Sequence, residues 1–297
     1  MGLITAVRTY GRMVKVAHSA FALPFALCGA ALAAAHHGVT LAQLGWIVVA
    51  MVGARSAAMG FNRLVDRRID AANPRTRSRE LPQGLVSVRA VGLLITASAG
   101  ALVLAAWRLN PLCLYLSPLA LAVLLAYSYT KRFTWASHLV LGGCLGAAPV
   151  GAWIAVTGAF AWIPVVLGLA VLAWVAGFDV IYACQDVDFD RGAGLHSLPV
   201  RLGVRRALQV SRLLHLVAVI LLAVLGWRAG LGPAYGAGVA VVGLLLLYEH
   251  RLVRADDLGR LDTAFFTMNG IISVVYFAFT LADLLARGPA RMLVASP

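Results

Sequence analysis

Acidic residues are scarce in this chain: 12 in 297 residues, against 25 Lys and Arg. Charge of either sign makes up only 12% of the sequence and hydrophobic residues 61%. So apolar a surface needs lipid as its solvent, which excludes an ordinary soluble globular protein. Lysine is nearly missing, with only Lys15 and Lys131. Cys28, Cys113, Cys144 and Cys184 stand alone in apolar segments, without the paired spacing of a metal or redox site, and read as packing residues. No nucleic-acid-binding motif accompanies the net charge of +13, so no nucleic-acid partner is expected; the charge reads as membrane topology plus attraction of anions.

What the chain has is long apolar runs. Stretches of about 20 residues, the length a helix needs to cross the hydrocarbon core, lie near 17–37, 41–64, 90–109, 111–130, 137–158, 162–184, 208–229, 232–250 and 264–286. The fold expected is all-α, a polytopic membrane protein with nine transmembrane helices. The first stretch reads as a span and not a cleaved signal, being long and lacking a small-residue cleavage site after it. Lys and Arg in short loops stay cytoplasmic. Nineteen of the 25 fall on one side, from Arg8, Arg12 and Lys15 onward, while Arg108, Arg228, Arg287 and Arg291 fall on the other. The N-terminus is therefore expected in the cytoplasm and the C-terminus outside.

The rare acids gather in two places. Asn62, Asp66 and Asp70 lie in NRLVDRRID, and Tyr182, Asp186 and Asp190 in YACQDVDFD. Spacing of four and four puts each trio along one helix face, drifting by about 40° over two turns. The loops that follow also resemble each other, each reaching a Leu-Pro pair (Leu81-Pro82 and Leu198-Pro199) and then basic residues at the start of the next helix. An internal duplication with halves of about 1–135 and 136–297, within a single membrane domain spanning 1–297, is the organisation expected. Neutralising neighbouring arginines is the plain use of such acids, but the repeated spacing favours chemistry. Two Asp combs suit Mg²⁺, a hard cation that shares its coordination with substrate phosphates, whereas zinc would want the His and Cys that the combs lack.

Asp179 lies seven residues before Asp186, on roughly the same face and deeper, as an orienting group or a base; Asp188 faces elsewhere. Arg55, seven before Asn62, sits inside an apolar span and needs an anion, either Asp179 or a carboxylate or phosphate of a substrate. Arg75, Arg77 and Arg79 serve topology or bind diphosphate. His18 packs at the interface or lines an acceptor pocket, and Lys131 follows Tyr127 by four residues.

NRLVDRRID, NPRTRSRELPQG, YSYTKRFTW and GFDVIYACQDVDFDR with GLHSLPVRLG, in this order, make the chain resemble the UbiA superfamily of intramembrane aromatic prenyltransferases. It looks most like the bacterial 4-hydroxybenzoate polyprenyltransferase group, and AHSAFALPFAL and GARSAAMGFNRLVD are similar to the branch of futalosine-route menaquinone synthesis. The resemblance implies nine helices around a central cavity with a lateral opening, in the bacterial inner membrane with the site facing the cytoplasm. It also implies Mg²⁺ and a polyprenyl diphosphate held by Asn62, Asp66, Asp70, Asp186 and Asp190, diphosphate handling by Tyr127 and Lys131, and an aromatic acceptor. Lys131 and Arg75 are expected to assist departure of diphosphate and Arg55 to orient the acceptor carboxylate. Tyr182 stands where a copy of the first motif would have Asn. Haem or lipid acceptors, and an organic-anion transporter, are the alternative readings.

Overall fold

The computed structural model describes residues 9–14 and 19–288, so Arg8, Lys15, His18 and Arg291 lie outside the described residues. The chain runs through α1 (Ser19–His37), α2 (Leu41–Val65), α3 (Arg67–Ala72), α4 (Val88–Leu109), α5 (Pro111–Thr130), α6 (Ser137–Thr157) and α7 (Trp162–Ala183). A 3₁₀ turn (Cys184–Asp186) leads to α8 (Val187–Gly192), then α9 (Leu198–Leu202), α10 (Val204–Arg228) and α11 (Pro233–Leu252). A π-helical turn (Thr263–Met268) opens α12 (Asn269–Ala286). Among the described residues there is no β-sheet.

Among the described residues, seven helical segments are long and apolar enough to cross a membrane: α2, α4, α5, α6, α7 continued through α8, α10, and Thr263–Ala286. This is an integral membrane protein. The other two expected spans are also helices, α1 packed on α6 and α12, and α11 packed on α12.

Local sequence sets the helix ends. Thr40 and Gln43 form a reciprocal capping box at the start of α2. Asn110 caps α5 by accepting from the Cys113 N–H at 2.9 Å, with Pro111 in the first turn where its missing N–H costs nothing. The Asn110 amide also donates to the Ile154 carbonyl at 2.8 Å, tying that corner to the end of α6. Gly158, at φ 70°, closes α6 in the left-handed conformation that glycine adopts without penalty.

Small residues bring α6 and α7 together. A Cβ added at Gly142 would meet the Leu172 carbonyl oxygen at 2.4 Å, and one at Gly146 would meet that of Gly168 at 2.4 Å. Such close backbone contact is how helices associate in lipid, where burying apolar surface gives no driving force between them. On the other side of α7, Trp174 packs against Phe25 of α1 with ring centroids 4.9 Å apart, and Phe25 stacks on Tyr276 of α12 at 5.2 Å. The buried Tyr235 hydroxyl donates to the Leu222 carbonyl at 2.8 Å, so its polar end is satisfied.

The two acidic segments share one construction, and neither is the straight helix that the spacing predicts. At Asp66 the backbone sits at φ −88°, ψ 3°, between α2 and the six-residue α3. At Asp186 it sits at φ −103°, ψ 3°, between the 3₁₀ turn and the six-residue α8. These are bridge-region angles, where a helix bends without losing its direction. Across the first bend the hydrogen bonds persist, Asp66 N–H to the Asn62 carbonyl at 2.9 Å and Asp70 N–H to the Asp66 carbonyl at 2.8 Å. The three residues therefore still stand on successive turns, with the second Asp carried by a short helix.

Candidate active site

The ends of α2 and α7 open on one cavity of about 500 Å³. Its charged end is lined by Asp66, Asp70, Asp186 and Asp190 with Arg63, Arg75, Arg79 and Lys131. Deeper in, the walls turn to Ala50, Ala54, Ala58, Leu102, Ala106, Leu116 and Gly151. Arg55, Asn62, Arg75, Tyr127, Asp179 and Tyr182 line this space beside Lys131 and the four aspartates.

Asp66 is 2% exposed and saturated. It accepts from Asn62 Nδ2 at 3.1 Å and Lys131 Nζ at 2.5 Å on Oδ2, and from Arg132 Nη2 at 2.8 Å on Oδ1. Asp186 is gripped from the first half of the chain. Arg75 donates through Nε to Oδ1 at 2.9 Å and through Nη2 to Oδ2 at 2.6 Å, and Asn73 Nδ2 donates to Oδ1 at 3.0 Å. The third Arg75 nitrogen, Nη1, donates to the Tyr182 hydroxyl at 3.0 Å, and the Tyr182 ring packs against that of Phe265 with centroids 4.1 Å apart and the planes tilted by 31°. Burial works against the Arg75 charge, but the hydrogen bond to Asp186 and the fields of Tyr182, Asp186 and Asp70 outweigh it and raise its pKa. Asn62 thus acts on the Asp four residues on directly, and Tyr182 does so through an arginine.

The outer aspartates differ. Asp70 accepts from Arg79 Nη1 at 2.7 Å on Oδ1, but its buried Oδ2 has no hydrogen-bond partner, the Arg63 guanidinium lying 3.8 Å away. No hydrogen bond reaches the Asp190 carboxylate from the described residues. Among these residues no three His, Cys, Asp or Glu side chains converge on a point where they alone would hold a metal ion. A hard cation that takes one or two carboxylates and completes its shell with phosphate oxygens fits Asp70 and Asp190, each of which has lone pairs to offer. Asp66 and Asp186 already have cations against them, so they would exchange a protein cation for a metal.

Two deeper residues end in different company. Arg55 does not pair with Asp179. Its buried Nε has no hydrogen-bond partner among the described residues, an arginine held in the cavity wall for an anion that they do not supply. Asp179 instead accepts from His138 Nδ1 at 2.7 Å. Asp188 stands in solvent beside Arg191, at 3.7 Å. Tyr127 lines the cavity four residues before Lys131, on the last turn of α5. Of Arg75, Arg77 and Arg79, the first and third hold aspartates and line the cavity, while Arg77 is not among its lining residues.

Sequence reasoning missed Asn73, Arg132 and His138. Asn73 carried a signal, as a polar residue just ahead of Pro74 in a loop already singled out. Arg132 and His138 carried none, since their partners lie 66 and 41 positions away in the chain.

Fold and site define a class: an integral membrane protein of long helices whose cavity is charged at one end and apolar along its length. The profile of the UbiA prenyltransferase family matches residues 22–271. A 4-hydroxybenzoate octaprenyltransferase of Sodalis glossinidius is 31% identical over 252 residues, 84% of this chain and 86% of the relative. The apo structure of a UbiA homologue from Aeropyrum pernix superposes with a TM-score of 0.82 at 36% identity, covering 90% of this chain and 98% of that one. A UbiA homologue from Archaeoglobus fulgidus, bound to DMAPP and Mg²⁺, shares the fold at 21% identity and a TM-score of 0.73, over 93% of this chain and 99% of that one. The chain belongs to the UbiA prenyltransferase family, and it is a prenyltransferase enzyme.

Proposed function

We propose that this enzyme transfers a polyprenyl group from polyprenyl diphosphate to an aromatic hydroxy acid, 4-hydroxybenzoate or 1,4-dihydroxy-6-naphthoate, in ubiquinone or menaquinone synthesis. The observation that carries this reading is the division of the cavity. A mouth rich in Arg, Lys and Asp suits a diphosphate, an apolar interior suits its isoprenoid tail, and an unpartnered Arg55 between them suits a carboxylate on the acceptor. The 4-hydroxybenzoate octaprenyltransferase of Sodalis and the ligands of the Archaeoglobus structure support it.

Mg²⁺ at the Asp residues would neutralise charge on the departing diphosphate. The chain's own groups do the rest. Lys131 and Arg75, which here hold Asp66 and Asp186, would turn to the diphosphate oxygens while the allylic C–O bond breaks and its electron pair leaves with the diphosphate. Tyr127 and Asn62 flank that headgroup, and Tyr182 holds Arg75 in position. Arg55 fixes the acceptor so that a ring carbon forms the new C–C bond, and the apolar walls keep water from the allylic cation. Asp179 takes the acceptor's hydroxyl proton as the new bond forms.

The same reading places nine spans across a bacterial inner membrane with the N-terminus and the cavity mouth on the cytoplasmic side, in contact with membrane lipid. The matching bends at Asp66 and Asp186 support an internal duplication within a single domain. The test is product formation by purified protein in detergent with Mg²⁺ and a long polyprenyl diphosphate, each acceptor offered separately and products weighed by mass spectrometry. Prenylation of either acid is expected. Turnover only with haem or a lipid acceptor would sink it.

A further inference from the structure

His138 is a buried imidazole that lines the cavity, and the nine-residue combs give no reason for it to be there. Its two nitrogens have different partners. The backbone N–H of Leu198, the first residue of α9, points at Nε2 at 3.2 Å, and Nδ1 faces Asp179 Oδ2 at 2.7 Å. A peptide N–H can only donate, so Nε2 must be the acceptor and cannot carry a hydrogen. The ring is then neutral, its one hydrogen is on Nδ1, and Nδ1 donates to Asp179. Asp179 keeps Oδ1 open to the cavity, on a side chain that is 23% exposed.

We propose that His138 is a positioning residue for Asp179, and that the Leu198 backbone sets it for that task by fixing its tautomer. The proposal rests on Asp179 as the proton acceptor of the transfer. As the acceptor's ring carbon bonds to the allylic carbon, its hydroxyl proton passes to Asp179 Oδ1, leaving the O–H electron pair to feed the ring. The allylic C–O pair departs with diphosphate. Asp179 then returns its proton to the oxygen, and the released diphosphate takes the ring proton, which restores the aromatic phenol. A base rotated away from the hydroxyl would lose this transfer, and the Nδ1 hydrogen bond holds Asp179 to one rotamer.

The placement also links two loops to one carboxylate. Leu198 lies in the Leu-Pro pair that ends the second acidic segment, and His196 two residues earlier donates its N–H to the Lys131 carbonyl at 2.7 Å. The segment that follows Asp190 is therefore pinned both to Lys131 at the mouth and, through His138, to Asp179 below it.

The experiment compares His138→Phe, His138→Asn and His138→Gln with Asp179→Asn, using geranyl diphosphate with 4-hydroxybenzoate and with 1,4-dihydroxy-6-naphthoate. Phe keeps the ring and loses both hydrogen bonds; Asn presents an amide N–H where Nδ1 was; Gln places its amide at Nε2. His138→Phe is expected to lower kcat by about 10- to 100-fold with little change in KM for geranyl diphosphate, Asn to restore most of it, and Gln not. Adding His138→Phe to Asp179→Asn is expected to cost nothing further. Wild-type turnover by His138→Phe beside an impaired Asp179→Asn overturns the role of His138. Wild-type turnover by Asp179→Asn instead removes Asp179 as proton acceptor. A measurement independent of acceptor is the ¹⁵N spectrum of histidine-labelled protein, with the His138 signals identified by their loss in His138→Phe. Hydrogen on Nδ1 and none on Nε2 is expected, and hydrogen on Nε2 overturns the assignment.

Discussion

Arg75 reaches across from the loop after the first acidic segment to clamp Asp186 of the second, with Nε and Nη2 each on its own carboxylate oxygen, at 2.9 and 2.6 Å. Planar, two-point pairing of this kind is specific to a guanidinium. It makes the two segments one unit, and leaves the third nitrogen of Arg75 on Tyr182.

Arg75→Lys is therefore a severe change despite the kept charge. A point charge cannot hold both oxygens and the Tyr182 hydroxyl together. The expected loss in kcat/KM is about 10- to 100-fold, the size of one or two charge-assisted hydrogen bonds. Steady-state kinetics of Arg75→Lys, Asp186→Asn and the pair would show strong coupling, with the double variant close to Asp186→Asn alone. Additive losses would mean that the two side chains act separately.

The contrast between saturated and open aspartates gives a second expectation. Asp70 and Asp190 have oxygens to offer a cation, whereas Asp66 and Asp186 are already held by Lys131, Arg132, Arg75 and Asn73. Asp70→Asn and Asp190→Asn should each raise the Mg²⁺ concentration for half-maximal turnover by about 10-fold or more, as loss of a charged ligand does. Chelation by EDTA should abolish turnover in the parent and Mg²⁺ should restore it. An unchanged Mg²⁺ titration in both variants would remove these residues as ligands.

The close crossing of α6 and α7 predicts a stability effect without chemistry. Gly146→Ala would force a Cβ to within 2.4 Å of the Gly168 carbonyl oxygen, whereas Gly143→Ala meets only the Leu172 side chain at 3.9 Å. The first should cost about 1–3 kcal/mol, as overpacking does, and the second close to nothing. Thermal unfolding in one detergent reads the difference. Equal midpoints would show that the helices separate easily at that point.

How much of this the sequence disclosed depends on the distance between partners. The apolar runs and the four-residue spacing of Asn62, Asp66 and Asp70 are local, and both reappear as helices and as three successive turns. The bend at Asp66 is not local. It answers to Lys131 and Arg132, which approach from the end of α5, and nothing in NRLVDRRID announces them. Arg55 was legible as a charge out of place in an apolar span; of the two anions the sequence left open for it, Asp179 is not its partner, and that carboxylate faces His138 through Oδ2. Histidine in an apolar helix is so often simply packed that only its two partners, one of them a backbone N–H, distinguish His138 from His215, which contacts His250 and the Trp174 carbonyl away from the cavity.

Arg55 supplies the sharpest test of acceptor choice. Its Nε is buried with no hydrogen-bond partner among the described residues, and a guanidinium in that state is costly unless an anion completes it. If the anion is the carboxylate of the aromatic acceptor, the parent enzyme should prefer 4-hydroxybenzoate over its methyl ester, which has the same ring and hydroxyl but no charge. Arg55→Met keeps the length and apolar bulk of the stem and removes the charge. It should raise KM for the acid by about 10- to 100-fold, the worth of a charge-assisted pair, with KM for the prenyl diphosphate unchanged because the Asp and Lys131 end of the cavity is untouched. It should also use acid and ester about equally, since the discrimination resides in the lost pair. If KM rose for the prenyl diphosphate in place of the acid, Arg55 would be a diphosphate ligand, and the acceptor would have to be held from another wall of the cavity.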